Sequence, residues 1–152
     1  MKKLLSALAF CACVGGANAA DITIFYSPTC PHCHHAREFI SSSLIYEYND
    51  LKVTEVNVTN IDNRQTFVDA LFKCGYQRGG VPVIVIGDKC FQGYADSMKD
   101  EMRTAIEVDL TEEQKSAAAA NKTAMTNDRD AFVAAHTDRK AAVAEIEPVK
   151  KN

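Results

Sequence analysis

The sequence has no excess of positive charge and no basic stripe. Its 17 Lys and Arg residues are outnumbered by 20 Asp and Glu residues, which gives a formal net charge of −3. Nucleic-acid binding depends on clustered positive charge, so we expect no nucleic-acid partner. The chain also lacks a long apolar run, because Leu4 to Val14 is too short to span a bilayer as a helix. No internal repeat is visible, and 152 residues suit one domain of ordinary size.

No acidic residue precedes Asp21, and this first segment has the pattern of an export signal. Lys2-Lys3 precede the short apolar run, and Ala17–Ala19 form a small-x-small cleavage signal. We predict that residues 1–19 are a signal peptide that is removed after Ala19. Its loss would change the formal net charge from −3 to about −5. We expect the mature chain to be soluble.

Two of the six cysteines, Cys11 and Cys13, lie within the predicted signal peptide. Lipid attachment at Cys11 is an alternative, but Phe10 is large for the position before an acylated cysteine. An even number of remaining cysteines in an exported chain suits an oxidising compartment. The short start with two lysines is typical of a bacterial signal, so we predict a periplasmic location. The four cysteines that remain are Cys30, Cys33, Cys74 and Cys90.

Residues 20–108 show the alternation and apolar runs of one α/β domain with element order β-α-β-α-β-β-α. Strands are predicted at Asp21–Tyr26, Leu51–Val58, Val83–Ile86 and Lys89–Gln92. Helices are predicted at Pro31–Tyr46, from Asn60 or Asp62 to Lys73, and at Ala95–Val108. The first crossover requires parallel pairing and the Gly87-Asp88 hairpin requires antiparallel pairing. We therefore predict a four-stranded mixed sheet with helices on both faces, and expect Phe67, Leu71 and Phe72 to point inward.

Residues 109–152 form an alanine-rich, charged tail with strong helix propensity and few large apolar residues. Asn127-Asp128 is expected to divide it into two helices. The pattern favours a solvated helical extension that packs lightly on the domain. A docking or dimerisation arm is the alternative.

The sequence places Cys30-Pro31-His32-Cys33 directly after the predicted first strand. At a strand-to-helix junction, the unpaired N–H groups and the positive end of the helix dipole face the leading sulfur. This field favours the thiolate, which is the nucleophilic form of cysteine. Pro31 suits the first helical position, where its missing N–H leaves no hydrogen bond unmade. The motif therefore predicts a reactive cysteine pair.

Together with Val81-Pro82 before the third strand and the Gly93–Asp96 segment after the fourth, the motif resembles that of glutaredoxins of the thioredoxin superfamily. The resemblance runs from about Asp21 to Val108 and implies a thioredoxin-like fold and thiol–disulfide exchange. The Pro31-His32 dipeptide is also similar to that of bacterial periplasmic dithiol oxidases of the same superfamily.

The resemblance implies a role for each matching residue. Cys30 would be the attacking thiolate, and Cys33 would be the buried resolving thiol. Pro82 would be cis and lie beside the disulfide, where the Val81 backbone could pair with an extended substrate. The substrate-binding set would be completed by Pro31, at the first helical position, and Asp96, near the γ-glutamyl end of glutathione.

The implied partners are protein thiols and disulfides or glutathione, with a membrane redox protein as a further candidate. Glutathione would be a co-substrate, and no metal or nucleotide cofactor is expected. The direction of electron flow stays open between oxidase, reductase and isomerase. A partly protonated His32 beside Cys30 would stabilise the thiolate and make the disulfide more oxidising. An exposed His32 with little coupling to Cys30 is the alternative.

Two further patterns leave alternatives open. Cys30-x-x-Cys33-His34 matches the c-type haem attachment pattern, so a haem- or metal-binding protein without catalytic activity is the alternative function. The strand that leads directly into the motif argues against haem, and the lack of a second Cys-x-x-Cys knuckle argues against a metal site. For Cys74 and Cys90 we favour a structural disulfide over a second redox relay or two free thiols.

Overall fold

The computed structural model of the chain describes residues 19–146. The predicted signal peptide therefore lies outside the described residues, apart from Ala19, whose side chain is buried against the core. Residues 147–152 of the tail also lie outside them. Within residues 19–146, no helix combines the length and the apolar character that crossing a membrane requires.

The centre of the molecule is a five-stranded mixed sheet with the strand order β4-β3-β1-β2-β5. Its strands are β1 (Ile22–Tyr26), β2 (Val53–Asn57), β3 (Val83–Ile86), β4 (Lys89–Gln92) and β5 (Val143–Glu145). β1 pairs with β2 in parallel, and the β3–β4 hairpin is antiparallel, as predicted. β5 joins β2 in parallel and was not predicted. The thioredoxin-like α/β fold is confirmed, with one strand more than the four expected.

The helical segments follow the predicted positions closely, with irregular turns at their ends. The helices are α1 (Pro31–Phe39), α2 (Ile45–Glu47), α3 (Arg64–Lys73), α4 (Lys99–Glu107), α5 (Glu112–Asn127) and α6 (Arg129–Ala135). A π-helical segment, Ile40–Leu44, connects α1 to α2, so the predicted helix is observed as one helical run with a wide turn. Three consecutive serines occupy this segment, and serine favours the regular α-helix only weakly.

The alternation of β1 divides the core between the two faces of the sheet. Ile22 and Ile24 face a large cluster formed with the α1–α2 run, α4 and the tail. Phe25 faces a small cluster that contains Val56 and Val83. Burying one such side chain completely stabilises a fold by about 1.5–3 kcal/mol, so the large cluster dominates the stability of the domain.

The small cluster is covered by α3, none of whose side chains is fully buried. Phe67 and Leu71 pack on it while partly exposed, as expected from their spacing of one helical turn. The prediction for Phe72 was wrong, because this side chain is 88% exposed. Adjacent helical residues point about 100° apart, so Phe72 lies outside the stripe that Phe67 and Leu71 share.

The tail contacts the domain more extensively than a lightly packed extension would. α5 and α6 meet at Asp128, close to the predicted break, and the Asp128 carboxylate accepts a hydrogen bond from the Ala131 N–H. Ala118 and Met125 of α5 are buried in the large cluster. The Asn121 side-chain amide also donates to the carbonyl of Glu47, 3.0 Å away, at the end of α2. These contacts attach the tail to the large cluster and to α2, at the end of the helical run that begins at Pro31.

Candidate active site

Cys30 occupies the position immediately before α1, after the short loop that follows β1. Its own N–H donates to the carbonyl of Ser27 (3.1 Å), which closes the loop into a turn. Its Sγ accepts a hydrogen bond from the N–H of Cys33 (3.1 Å), so this sulfur caps the helix. Pro31 stands at the first helical position. Because a backbone donor and the positive end of the helix dipole both face Sγ, this site stabilises negative charge on Cys30.

Cys30 and Cys33 form a disulfide with a Cα–Cα distance of 5.2 Å. Cys33 is 1% exposed and lies in the interior, whereas Cys30 is only partly buried. A second thiol attacks a disulfide along the sulfur–sulfur axis and needs access to the sulfur it attacks. Cys30 is therefore the sulfur that a partner can reach, and Cys33 is shielded.

The Val81–Pro82 peptide bond is cis, in agreement with the sequence-based expectation. It brings the carbonyl oxygen of Val81 to 3.6 Å from the Sγ of Cys30. The next carbonyl, that of Pro82, accepts a hydrogen bond from the N–H of Gly93 (2.8 Å), which fixes the loop to the end of β4. The structure thus brings Cys30, Cys33 and the Val81-Pro82 loop together, although they are some fifty residues apart in sequence.

The histidines follow the cysteines around the first turns of α1. His32, His34 and His35 all expose their side chains. The rings of His34 and His35 meet edge to face with centroids 6.1 Å apart. Among the described residues, the structure assembles no group of three or more His, Cys, Asp or Glu side chains around a common metal position.

Asp96 lies at the start of the short 3-10 turn that leads into α4, with an exposed carboxylate. It forms an ion pair with Lys99 (3.0 Å), and the Tyr94 hydroxyl lies 3.5 Å from the same oxygen. These residues line a surface cavity of about 260 Å³ together with His35 and Phe39 of α1. Burial and the neighbouring carboxylate raise the pKa of Tyr94 to about 12. The predicted contact of Asp96 with glutathione stays a prediction.

A group of polar side chains around Arg37, in the last turn of α1, was not predicted from the sequence. Arg37 pairs with Glu55 of β2 (2.6 Å), and its guanidinium lies 4.0 Å from the centre of the Tyr26 ring. The Tyr26 hydroxyl donates to Glu145 of β5 (2.5 Å), and burial together with this bond raises the pKa of Tyr26 to about 12. The hydrogen bond to Glu55 raises the pKa of Arg37. These contacts join α1, β1, β2 and β5.

One sequence signal could have identified Glu55. Glu55 lies two residues after the buried Val53 in an alternating strand, so the two side chains point to the same face of the sheet. The side chain of Glu55 is only 6% exposed. A carboxylate on the inward face of a strand requires a cationic or hydrogen-bonding partner. The partner, Arg37, comes from another element, and nothing in the local sequence identifies it.

The second disulfide joins Cys74 to Cys90, with a Cα–Cα distance of 5.8 Å. Cys74 is the residue that ends α3, and Cys90 lies in β4 opposite Val85 of β3. The pairing agrees with the one favoured from the sequence. Both residues are partly buried, and the bond connects the end of α3 to the outer strand of the hairpin.

The fold and this site define a thioredoxin-like domain that carries a cysteine pair at a helix N-terminus, opposite a cis proline. Residues 22–91 match the family model for glutaredoxin, and this match supports thiol–disulfide oxidoreductase chemistry. The solved glutaredoxin of Archaeoglobus fulgidus is similar at 22% identity and a TM-score of 0.45, over 55% of this chain and 86% of that chain. No curated protein matches the chain.

Proposed function

We propose that the chain is a periplasmic thiol–disulfide oxidoreductase that exchanges disulfides with protein thiols or glutathione through Cys30 and Cys33. The observation that carries the proposal is the position of the Cys30 Sγ, 3.1 Å from the N–H of Cys33 and 3.6 Å from the carbonyl of Val81. The first contact stabilises a leaving or attacking thiolate. The second places the Val81 backbone beside the reacting sulfur, where an extended substrate can pair with it.

The oxidative reaction proceeds in two exchanges. A substrate thiolate attacks the Cys30 Sγ, the Cys30–Cys33 bond breaks, and Cys33 leaves as a thiolate that takes up a proton. A second substrate thiolate then attacks the substrate sulfur of the mixed disulfide and releases Cys30 as a thiolate. The substrate loses two electrons and gains a disulfide, while the cysteine pair gains both electrons. A disulfide compound of the compartment restores the oxidised pair.

In the reductive direction the same groups act in reverse. The Cys30 thiolate attacks a substrate disulfide, and Cys33 resolves the mixed disulfide from its buried position. We propose that the oxidative direction prevails, because the Cys30 Sγ accepts the N–H of Cys33 and faces the positive end of the α1 dipole, which stabilises the reduced pair. His32, exposed in the first turn of α1, is a proposed further contributor. Pro31, Val81 and Asp96 are the proposed substrate-binding residues. Asp96 would act when glutathione is the co-substrate.

The test uses the mature chain purified from a periplasmic fraction. We expect it to equilibrate with reduced and oxidised glutathione buffers and to oxidise a reduced dithiol protein, as followed by acid quench, alkylation and mass counting. Absence of exchange, or a haem absorption band and bound metal in the purified protein, would overturn the proposal in favour of the carrier alternative. Recovery of the chain from the cytosolic fraction at its full length would refute the proposed location.

A further inference from the structure

The loop at residues 75–82 presents the Val81 carbonyl to the active-site sulfur without regular structure of its own. It begins at Gly75, which has a φ of +70°, and it contains two adjacent glycines, Gly79 and Gly80. Glycine gives the backbone more conformational freedom than other residues do. A contact at 3.6 Å between Val81 and Cys30 therefore depends on restraints from outside the loop.

Two of those restraints come from the end of β4. The Gln92 side-chain amide donates to the carbonyl of Arg78 (3.0 Å), and the N–H of Gly93 donates to the carbonyl of Pro82 (2.8 Å). The opposite end of the loop begins at Cys74, which the disulfide connects to Cys90 of the same strand. β4 and Gly93, the residue that follows it, thus hold the start, the middle and the end of the loop.

The disulfide is an important restraint on the position of the loop, because few buried contacts hold α3 to the sheet. None of the side chains of α3 is fully buried, and Phe72, two residues before Cys74, is almost fully exposed. Only partly buried residues attach the helix to the small cluster on that face of the sheet. The covalent bond at Cys74 is therefore a principal restraint on where α3 ends and the loop begins.

We infer that the Cys74–Cys90 disulfide is a positioning element for peptide substrates, because it holds the Val81 backbone beside Cys30. The inference rests on the proposed function. A peptide that adds as an extended strand uses the Val81 backbone, whereas a small thiol has no backbone to pair and needs only access to the Cys30 Sγ. Removing the disulfide should therefore slow exchange with peptides selectively.

The experiment compares the wild-type chain with the Cys74→Ala/Cys90→Ala double variant. Reduction of the Cys30–Cys33 disulfide is measured with a short peptide containing one cysteine and with 2-mercaptoethanol. The chain has no tryptophan, so the reaction is followed by acid quench, alkylation and mass spectrometry. We expect the second-order rate constant to fall by about tenfold with the peptide and by less than about twofold with 2-mercaptoethanol. The reduction potential of Cys30–Cys33 should stay the same.

Two further variants keep the test decisive. Met125→Ala removes a buried side chain of α5 and lowers stability without touching the loop, so it should leave the ratio of the two rate constants unchanged. Gln92→Ala removes the contact with Arg78 while leaving both disulfides in place, and it should also slow the peptide selectively. If the double variant does not fold, Cys74→Ser, which breaks the same disulfide with a smaller change of side chain, replaces it in both rate measurements.

Equal loss with both thiols, or no loss with the peptide, would overturn the positioning role. Failure of the wild-type chain to react with 2-mercaptoethanol would contradict the proposed function instead. The two failures are therefore distinguishable in one set of measurements.

Discussion

The two disulfides lie at opposite ends of helices. Cys30 precedes α1 and faces N–H groups at the positive end of the helix dipole. Cys74 ends α3, where unpaired carbonyls make the local potential negative. A thiolate is stabilised at the first position and disfavoured at the second. The first bond closes a ring between residues three apart, and the second joins residues sixteen apart on two elements.

This difference shows how one chain can keep an exchangeable disulfide and a structural one in the same compartment. A bond that is to be exchanged needs an accessible sulfur at a site that stabilises a thiolate, and Cys30 has both features. A bond that is to persist benefits from a long closed loop, because the loop restricts the unfolded chain more. The two disulfides differ in thiolate stability because Cys30 lies at a helix N-terminus and Cys74 at a helix C-terminus.

The largest expected effect is a difference in disulfide-exchange rate between variants of Cys30 and of Cys74. Cys30→Ser removes the nucleophile and should reduce disulfide exchange by more than about a thousandfold. Cys74→Ser should leave exchange with 2-mercaptoethanol close to the wild-type rate. The rates are measured by quenched alkylation of the remaining thiols. Strong loss of this exchange in Cys74→Ser would instead favour a redox relay through the second pair.

The second prediction concerns the order of attack and resolution. Cys33→Ser should accumulate mixed disulfides at Cys30, because the buried partner that normally resolves them is missing. Cys30→Ser should accumulate none. Non-reducing gels and mass spectrometry of protein quenched in acid measure both. Equal trapping by the two variants would remove the assignment of roles.

The third prediction concerns stability. Loss of the Cys74–Cys90 bond should lower the free energy of unfolding by roughly 3 kcal/mol, because the loop it closes is of intermediate length. Denaturant unfolding of the Cys74→Ala/Cys90→Ala variant checks the value against the wild-type chain. Peptide mapping of the exported protein checks the linkage, and free thiols at both positions would refute the structural role.

The fourth prediction concerns the imidazole of His32, two residues after Cys30. His32→Ser should lower the reduction potential by about 30 mV, which corresponds to roughly 1.4 kcal/mol for two electrons. The same substitution should lower the thiolate fraction of Cys30 at neutral pH, because both effects depend on one charge. Glutathione redox buffers and absorbance near 240 nm measure the two quantities. His34→Ser is a matched control one turn from Cys30, and an identical shift there would deny His32 a special role.

The smallest expected effect concerns Tyr26 of β1, whose ring lies beside the guanidinium of Arg37 in α1. Because burial and the bond to Glu145 raise the pKa of Tyr26 to about 12, the folded state holds its proton more tightly than the unfolded chain, in which tyrosine titrates near 10. Its contribution to stability is complete below about pH 10 and is lost as the pH rises towards about 12. Tyr26→Phe should reduce stability at neutral pH by about 1 kcal/mol and weaken this alkaline loss.

Denaturant titrations at several pH values above 9 measure that effect. Burial also raises the pKa of Tyr48 and Tyr94, which are hydrogen-bonded to Glu107 and Asp96, so part of the alkaline loss should persist in Tyr26→Phe. A variant that unfolds with the same pH dependence as the wild-type chain would exclude Tyr26 as a contributor.

Patterns among neighbouring residues predicted most of the strands, helices and turns of the domain. The alternation of β1, the apolar run of β3, the turn at Gly87-Asp88 and the break near Asp128 each depend on neighbouring residues, and each is observed. The cysteine pair at the start of α1 was predictable for the same reason. Phe72 was assigned incorrectly because its apolar character suggested burial, although its angular position on α3 places it outside the packed stripe.

Features that depend on distant pairing were not predictable. β5 has three residues, and its partner β2 lies ninety residues earlier in register, so no local pattern indicates it. The contacts of Tyr26 with Glu145 and of Arg37 with Glu55 likewise join separate elements. Each of these residues is polar, and polar residues alone do not indicate which distant partner they meet.

The pairing of β5 with β2 also has a consequence for self-association. Without β5, the sheet would end at β2, a five-residue strand with three buried residues and a free row of backbone donors and acceptors. Such an edge is a template for pairing with another chain and for aggregation. β5 replaces it with a three-residue edge whose last two residues are exposed and include Glu145. The tail therefore covers the β2 edge of the sheet, while β4 forms the other edge, and a chain that ends before Val143 would expose the longer β2 edge.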